Sequence, residues 1–212
     1  HQMLRGRFSV SETYEEYFEA DPIMFGDYLK IGCDREDRVY EECREMEKVK
    51  KLLVDYLDEY NMTSTSAMNL VVFRDAIEHV SRLARVLRQP RGNAMLVGVG
   101  GSGKQSLTRF ACHMSDTECF QIELKRGYKL TEFREDLKSL YKKAGVDGTP
   151  VAFLFTDNQI ADESFVEDVN NILNSGEVPG MYTSDEKEKC IADIRPWCDD
   201  QGLELSRDGL YN

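Results

Sequence analysis

Apolar positions between residues 36 and 60 recur at steps of three and four: Val39, Cys43, Met46, Val49, Leu53, Tyr56 or Leu57, and Tyr60, with charged residues between them. That period predicts an amphipathic helix laying one stripe on its neighbours, in a run too short for a coiled coil of many heptads. Residues 1–35 are aromatic, acidic and less periodic, and read as a helical or irregular lead-in. Asn61-Met-Thr-Ser-Thr-Ser66 is a polar break of linker type. Beyond it Phe73, Ile77, Val80, Ala84 and Leu87 share one helical face, and the helix must stop before Pro90. His79 falls at the edge of that face, the place of a structural rather than a catalytic histidine.

From residue 93 the pattern changes to short apolar runs alternating with helices. The runs are Ala94-Met-Leu-Val97, Phe120-Gln-Ile-Glu-Leu124 and Val151-Ala-Phe-Leu-Phe155; helices are expected over about 103–114, 131–143 and 162–174. Strand, helix, strand, helix, strand predicts an α/β fold, a parallel sheet with right-handed crossovers and flanking helices. No internal repeat is visible. The organisation expected is a helical extension over 1–60 followed by an α/β unit over 61–212.

Composition narrows the function classes. The 212 residues are 41% hydrophobic and 31% charged, an ordinary globular balance that excludes collagen-like or low-complexity sequence. No apolar stretch approaches the roughly 20 residues of a membrane helix. The amino terminus shows neither a secretory signal nor a transit peptide, which favours the cytosol and leaves the Asn61-Met62-Thr63 sequon unused. The cysteines, Cys33, Cys43, Cys112, Cys119, Cys190 and Cys198, are scattered without a C-x-x-C, as reduced thiols are. Cys112-His113 and Cys119 lack a fourth metal ligand and read as core or surface residues.

The net charge of −12 argues against nucleic acid as a partner, because neutralising phosphates needs a basic face. Residues 1–60 carry nine basic and sixteen acidic groups, and 157–212 carry four and fourteen. The acidic stretch around Asp185-Glu-Lys-Glu-Lys189 and Asp199-Asp200 reads as a solvated surface. Only 91–129 is locally positive, with six basic groups (Arg91, Lys104, Arg109, Lys125, Arg126, Lys129) against three acidic.

Inside that window lies Gly98-Val99-Gly100-Gly101-Ser102-Gly103-Lys104-Gln105-Ser106, which fits G-x-x-x-x-G-K between an expected strand and an expected helix. Glycines let backbone N–H groups close around an anion, the helix start adds about half a positive charge, and a lysine supplies a mobile full charge for outer phosphates. One position departs from the motif. The residue after the lysine should offer Mg²⁺ a hydroxyl, but here it is Gln105, and Ser106 stands about 100° further round the helix.

The partner element is an apolar strand ending in acids, and Val151–Phe155 followed by Thr156-Asp157-Asn158 is the candidate. Two registers fit: Thr156 at the metal position with Asp157 as base, or Asp157 at the metal position with Asn158 as base. Either loses a carboxylate. A general base contributes roughly 10²–10⁴ in rate, so slow or absent hydrolysis is expected beside retained binding. Asp157 could instead simply cap the next turn.

Several long strings together resemble the fourth AAA+ module of axonemal dynein heavy chains, from about residue 20 to the end. They are Phe73-Arg-Asp-Ala-Ile-Glu-His-Val80, Leu87-Arg-Gln-Pro-Arg-Gly-Asn93, Gly98 to Leu107, Leu154-Phe-Thr-Asp157 and Asn170-Asn-Ile-Leu-Asn-Ser-Gly-Glu-Val-Pro179. The resemblance implies a P-loop NTPase sheet and an ATP or ADP ligand in a regulatory module of a ring-shaped microtubule minus-end motor of cilia and flagella. Gly98, Val99, Gly100, Gly101, Ser102, Gly103, Lys104, Gln105 and Ser106 would then cradle phosphates, and Leu70, Val71 and Val72 would lie near the adenine. Gln105 and Thr156 would hold degenerate Mg²⁺ positions, with Asp157 at the base position. The partners implied are neighbouring AAA+ modules, dynein light and intermediate chains and microtubules, in the axoneme and cytoskeleton; neither nucleic acid nor membrane is among them.

No strand-like run follows residue 175, so the chain is expected to be truncated, lacking the family's sensor strand, final strand and lid. Strands 94–97 and 151–155 are then expected to pair directly, unless the chain is left marginal in stability. Two other functions stay open at this point: a self-sufficient P-loop ATPase or kinase, which needs the missing metal and base groups, and a structural interaction module whose loop binds nothing.

Overall fold

A computed structural model describes residues 24–202 and residue 206; the expected lead-in before residue 24 lies outside the described residues. The chain divides into two compact units between Ser115 and Asp116.

The first unit opens with a two-residue strand β1 (Phe25–Gly26) paired antiparallel with β2 (Glu41–Glu42), Phe25 opposite Glu42. Helix α1 (Met46–Thr63) buries Val49, Leu53, Tyr56 and Leu57, the stripe that the spacing predicts. The helix starts ten residues later than the pattern suggests. Residues 35–37 form a 3₁₀ turn, and Val39 is 61% exposed. The cause is Arg38: its buried guanidinium donates from Nε to the Cys33 carbonyl at 3.0 Å and from Nη1 to the Met114 carbonyl at 2.6 Å. Winding 36–45 into a helix would pull that charge off its acceptors, which is costly for a buried cation. The break after α1 is ordered by Asn61, whose amide donates to the Met68 carbonyl (3.0 Å) and accepts from the Met68 N–H (2.6 Å).

Helix α2 (Arg74–Arg88) buries Ala76, Ile77, Val80, Ser81, Leu83 and Ala84, and α3 (Lys104–Met114) buries Leu107, Phe110, Ala111, Cys112 and Met114. Phe73, expected on the buried face, is the residue before the first turn and is exposed, as is His79. Tyr28, fully buried, ties the lead-in to α2. Ser81 Oγ donates to the Ile77 carbonyl at 2.7 Å, so it accepts from the Tyr28 hydroxyl at 2.5 Å. Burial pushes the Tyr28 phenol well above its ordinary range.

Residues 94–97 do not form a strand. The backbone there joins no ladder; Met95 and Val97 are 91% and 85% exposed, and only Leu96 packs on the core. An apolar run becomes a strand when a neighbour takes its N–H and C=O groups, and none of the described residues does so. The expected direct pairing of 94–97 with 151–155 is therefore absent.

The second unit holds the parallel pair. Strand β3 (Glu118–Phe120) lies beside β4 (Val151–Phe153), with Glu118 opposite Val151 and Phe120 opposite Phe153. Helix α4 (Leu130–Gly145) makes the connection that parallel strands require. β3 sits two residues earlier than its apolar run, because Ile122 has left the ladder: it is buried, and its carbonyl accepts from Gln159 Nε2. Helix α5 (Glu163–Ser175) is capped by Asp162, which accepts from the Ser164 N–H at 2.9 Å, and ends at Gly176. Phe133 and Phe165 stack with ring centroids 4.4 Å apart at the centre of a core that includes Ile122, Leu137, Val178 and Met181.

The acidic stretch expected as a solvated surface carries its exposed Asp185, Asp199 and Asp200 on helix α6 (Ser184–Asp200), which buries Ile191 and Cys198 and has Pro196 inside it. Its start is a capping box: the Glu186 N–H reaches Thr183 Oγ1 and the Thr183 N–H reaches Glu186 Oε2 at 2.8 Å. Both units mix helices with short strands, and the parallel sheet among the described residues is this two-stranded pair flanked by helices.

Candidate functional site

The glycine-rich loop opens α3 as the motif requires. Gly101 and Gly103 have φ of 76° and 77°, the left-handed region that glycine enters without a steric penalty, and Gly103 is the residue before the first helical turn. A Cβ at Gly100, Gly101 or Gly103 would meet no atom within 4 Å, so the loop faces open space on that side. One backbone bond, Ser102 N–H to the Val99 carbonyl at 3.3 Å, holds the turn. The first intrahelical bond is Leu107 N–H to the Gly103 carbonyl, which by helix geometry leaves the N–H groups of Lys104, Gln105 and Ser106 without an acceptor in their own helix. The loop thus opens a helix anchored by Leu107 and Phe110.

Lys104 bends back over this loop. Its ammonium donates to the Gly98 carbonyl (2.8 Å), the Val99 carbonyl (2.8 Å) and Ser102 Oγ (3.3 Å). Gln105 is exposed, and Ser106 is half-buried. Of the three residues expected near an adenine, Val72 is buried in the core, Leu70 packs against it, and Val71 is 71% exposed.

Thr156 and Asp157 belong to the second unit. Thr156, rather than Asp157, precedes and caps the 3₁₀ turn Asp157–Gln159, its N–H and hydroxyl both donating to Gln159 Oε1 at 2.9 and 3.0 Å. Asp157 is exposed at the first position of that turn. The two side chains at the metal positions of the motif are therefore a neutral amide, Gln105, and a hydroxyl already committed to Gln159. Neither offers a carboxylate, the ligand that a Mg²⁺ site most often draws from the protein. Among the described residues no group of three or more His, Cys, Asp or Glu side chains is arranged to hold a metal ion. Cys112 is buried and His113 packs edge-on against Tyr60 at 5.3 Å, in keeping with their reading as packing residues.

The basic window is shared between the two units. Lys125, Arg126 and Lys129 lie in the second unit, where Lys125 and Arg126 join Tyr128, Glu132, Glu135 and Asp136 along a groove of about 620 Å³. With Glu123, four carboxylates line that groove against two cations, which makes it unsuited to an anion. Burial, and then the bond it donates to Asp136, push the Tyr128 phenol up. Sequence reasoning placed Ser102 in the loop without its contact to Lys104, and missed Gln159, which holds Thr156. The spacing of Thr156 and Gln159, a capping box of Thr and Gln three residues apart, was the available signal for the second.

The profile described as "P-loop containing dynein motor region D4" matches residues 68–212. The human protein named Dynein axonemal heavy chain 6 is 54% identical over 197 residues, covering 92% of this chain and 5% of that protein. Human Dynein axonemal heavy chain 1 is 43% identical over 198 residues, 93% of this chain and 5% of that protein. The Dynein-1-beta heavy chain of the flagellar inner arm I1 complex of Chlamydomonas reinhardtii is 47% identical over 204 residues, 96% of this chain and 4% of that protein. The chain spans about one-twentieth of the length of these relatives. No helix among the described residues is long and apolar enough to cross a membrane.

Proposed function

The chain belongs to the family of P-loop-containing dynein motor region D4, and from that premise we propose that Gly98–Ser106 binds the phosphates of ATP or ADP as a regulatory site with little hydrolysis of its own. The observation that carries the reading is the loop itself, two left-handed glycines and a lysine opening an anchored helix. Residues 61–212 are the α/β part of the module, and 1–60 is the connector from the preceding one. Leu70–Val72 borders the adenine, and Val71 has the exposed side chain to do so.

The relatives' names extend the proposal to the whole protein. It is a heavy chain of an axonemal dynein, working with neighbouring AAA+ modules, light and intermediate chains and microtubules in the cytoskeleton of a cilium or flagellum. Chemistry at the site is limited by what stands at two positions. Gln105 cannot replace the metal-binding hydroxyl, and Thr156 cannot replace a metal-binding carboxylate, so Asp157 at the base position has no metal-ordered phosphate to act on. Binding survives these changes because it rests on backbone N–H groups and Lys104.

Calorimetric titration of ATP and ADP, with and without Mg²⁺, tests the reading. Binding should change little with Mg²⁺, and Lys104→Ala should weaken it about 10- to 150-fold, as expected for a charge-assisted contact of roughly 1.5–3 kcal/mol. A folded chain that binds neither nucleotide sinks the proposal. Brisk phosphate release that Lys104→Ala abolishes would overturn the claim of poor hydrolysis, and Gln105→Ser with Thr156→Asp and Asp157→Glu should restore metal dependence before it raises any rate.

A further inference from the structure

The groove of about 620 Å³ in the second unit joins an apolar surface to an acidic one. The apolar surface is fixed: Ile122 is buried, and Phe120 and Tyr128 pack on the core around Phe133 and Phe165. The acidic surface is the start of α4, where Glu132, Glu135 and Asp136 stand at steps of three and four on one face. No cation of the groove neutralises them. Glu132 accepts from the Lys129 N–H at 2.9 Å, Asp136 accepts from the Tyr128 hydroxyl, and Glu135 shares Lys138 with Glu186. Glu186 is the nearer to that lysine, at 2.7 Å against 2.9 Å, so Lys138 stays paired when Glu135 turns to another cation. Glu123, also in the lining, has no partner among the described residues.

Main-chain groups are open at the same place. The ladder ends at Phe120, whose carbonyl takes the Leu154 N–H at 2.8 Å, and the Ile122 carbonyl takes Gln159 Nε2. Glu123 and Leu124 follow, both exposed, and neither makes a hydrogen bond to a described residue. Their N–H and C=O groups are free to pair, as those of a sheet edge are. We propose that this groove docks an extended segment of a partner protein in which basic and apolar residues alternate. Successive side chains of a strand point to opposite sides, so Arg or Lys can face α4 while the residues between them meet Phe120 and Ile122. The segment's main chain pairs with 123–124, the strand-addition mode of peptide recognition. Four carboxylates against two cations select a basic segment over an acidic one, and the two cations, Lys125 and Arg126, precede α4 and leave its side of the groove wholly without positive charge.

The probe is a fluorescein-labelled peptide, Arg-Val-Lys-Val-Arg-Val, titrated with the whole chain and followed by polarisation. Saturable binding is expected. Glu135→Gln and Glu123→Gln, both at exposed positions, should each weaken it about two- to five-fold, the effect of one exposed ion pair, and unfolding curves show that both variants are folded. Methylating alternate peptide nitrogens of the probe should weaken it about two- to ten-fold by removing main-chain donors. Amide NMR shifts should move at 120–128 and 131–136. Absence of saturable binding overturns the proposal, as does binding that both variants leave unchanged. A regrouped probe, Arg-Arg-Lys-Val-Val-Val, or spermine binding as tightly shows attraction by charge alone and also overturns it. An N-methylated probe that binds undiminished removes the strand pairing on which the proposal depends. None of these residues belongs to Gly98–Ser106, so the result is separate from that of nucleotide titration.

Discussion

The two units bury their polar groups by different means. In the first, buried donors end on uncharged oxygens: Tyr28 on Ser81, Ser81 on the Ile77 carbonyl, and Arg38 on the carbonyls of Cys33 and Met114. In the second, charges tie helix to helix. Arg134 on α4 grips the buried Asp168 of α5 through two bonds of 2.8 and 3.0 Å, and Lys138 on α4 reaches Glu186 of α6 at 2.7 Å. The acceptors of these first-unit bonds are hydroxyl and carbonyl oxygens, whereas those of the second unit are carboxylates. The difference teaches that acid and salt should loosen the second unit ahead of the first, where the Arg88–Asp27 pair joins α2 to the stretch before it.

The largest test of this contrast removes something that is neither polar nor charged. Phe165→Ala, which empties the stack on Phe133, should cost about 3–5 kcal/mol, and amide hydrogen exchange should show the loss in 116–202 at any pH or salt. Asp168→Asn keeps the shape of the pair and removes its charge. It should cost about 2 kcal/mol in urea unfolding, with the remaining stability of the second unit less sensitive to salt than in the wild type. Tyr28→Phe should cost about 1 kcal/mol, since Ser81 keeps its bond to Ile77, and the loss should be the same at pH 3 and pH 7.

The smallest effect carries the sign of the comparison. The bond from Lys138, and then the Thr183 N–H, hold the Glu186 carboxyl down to about 2, below its ordinary 4.5. As pH falls the unfolded chain takes up this proton first, so the contribution is complete above about pH 5 and disappears on the way to pH 2. An acid titration followed at α6 should lose its first turn in that window, and Glu186→Gln should flatten the dependence. A titration that loosens 24–115 first would break the contrast between the units.

Periodicity made α2, α3, α4 and α5 legible to within a residue or two, because each buries residues at helical spacing: Ile77, Val80 and Ala84 on α2, Phe133 and Leu137 on α4. It failed where one residue outvoted the pattern. Arg38 holds extended a stretch whose apolar spacing continues into α1, and α6 was hidden by charge and Pro196 although Thr183 and Glu186 spell its start. The loop was readable because its chemistry is local, with the glycines, lysine and helix start adjacent in sequence. The fold of Lys104 onto Ser102 and the commitment of Thr156 to Gln159 were not, since both depend on side-chain torsions that spacing leaves open.

Arg35 and Arg38 both place their guanidinium groups at the carboxyl ends of helices, Arg35 on the Leu87 carbonyl at 3.2 Å and Arg38 on that of Met114. Helix α3 is thereby a strut of about 16 Å at 1.5 Å per residue, footed on Arg38 at one end and bearing Lys104 at the other. Thrust along its axis from the loop is received by the stretch 35–38, while sideways movement is resisted only by packing. Mechanical load on the chain ahead of β2 therefore has a direct route through Arg38 and α3 to the glycine-rich loop, beside those through α2 at Leu87 and Ser81.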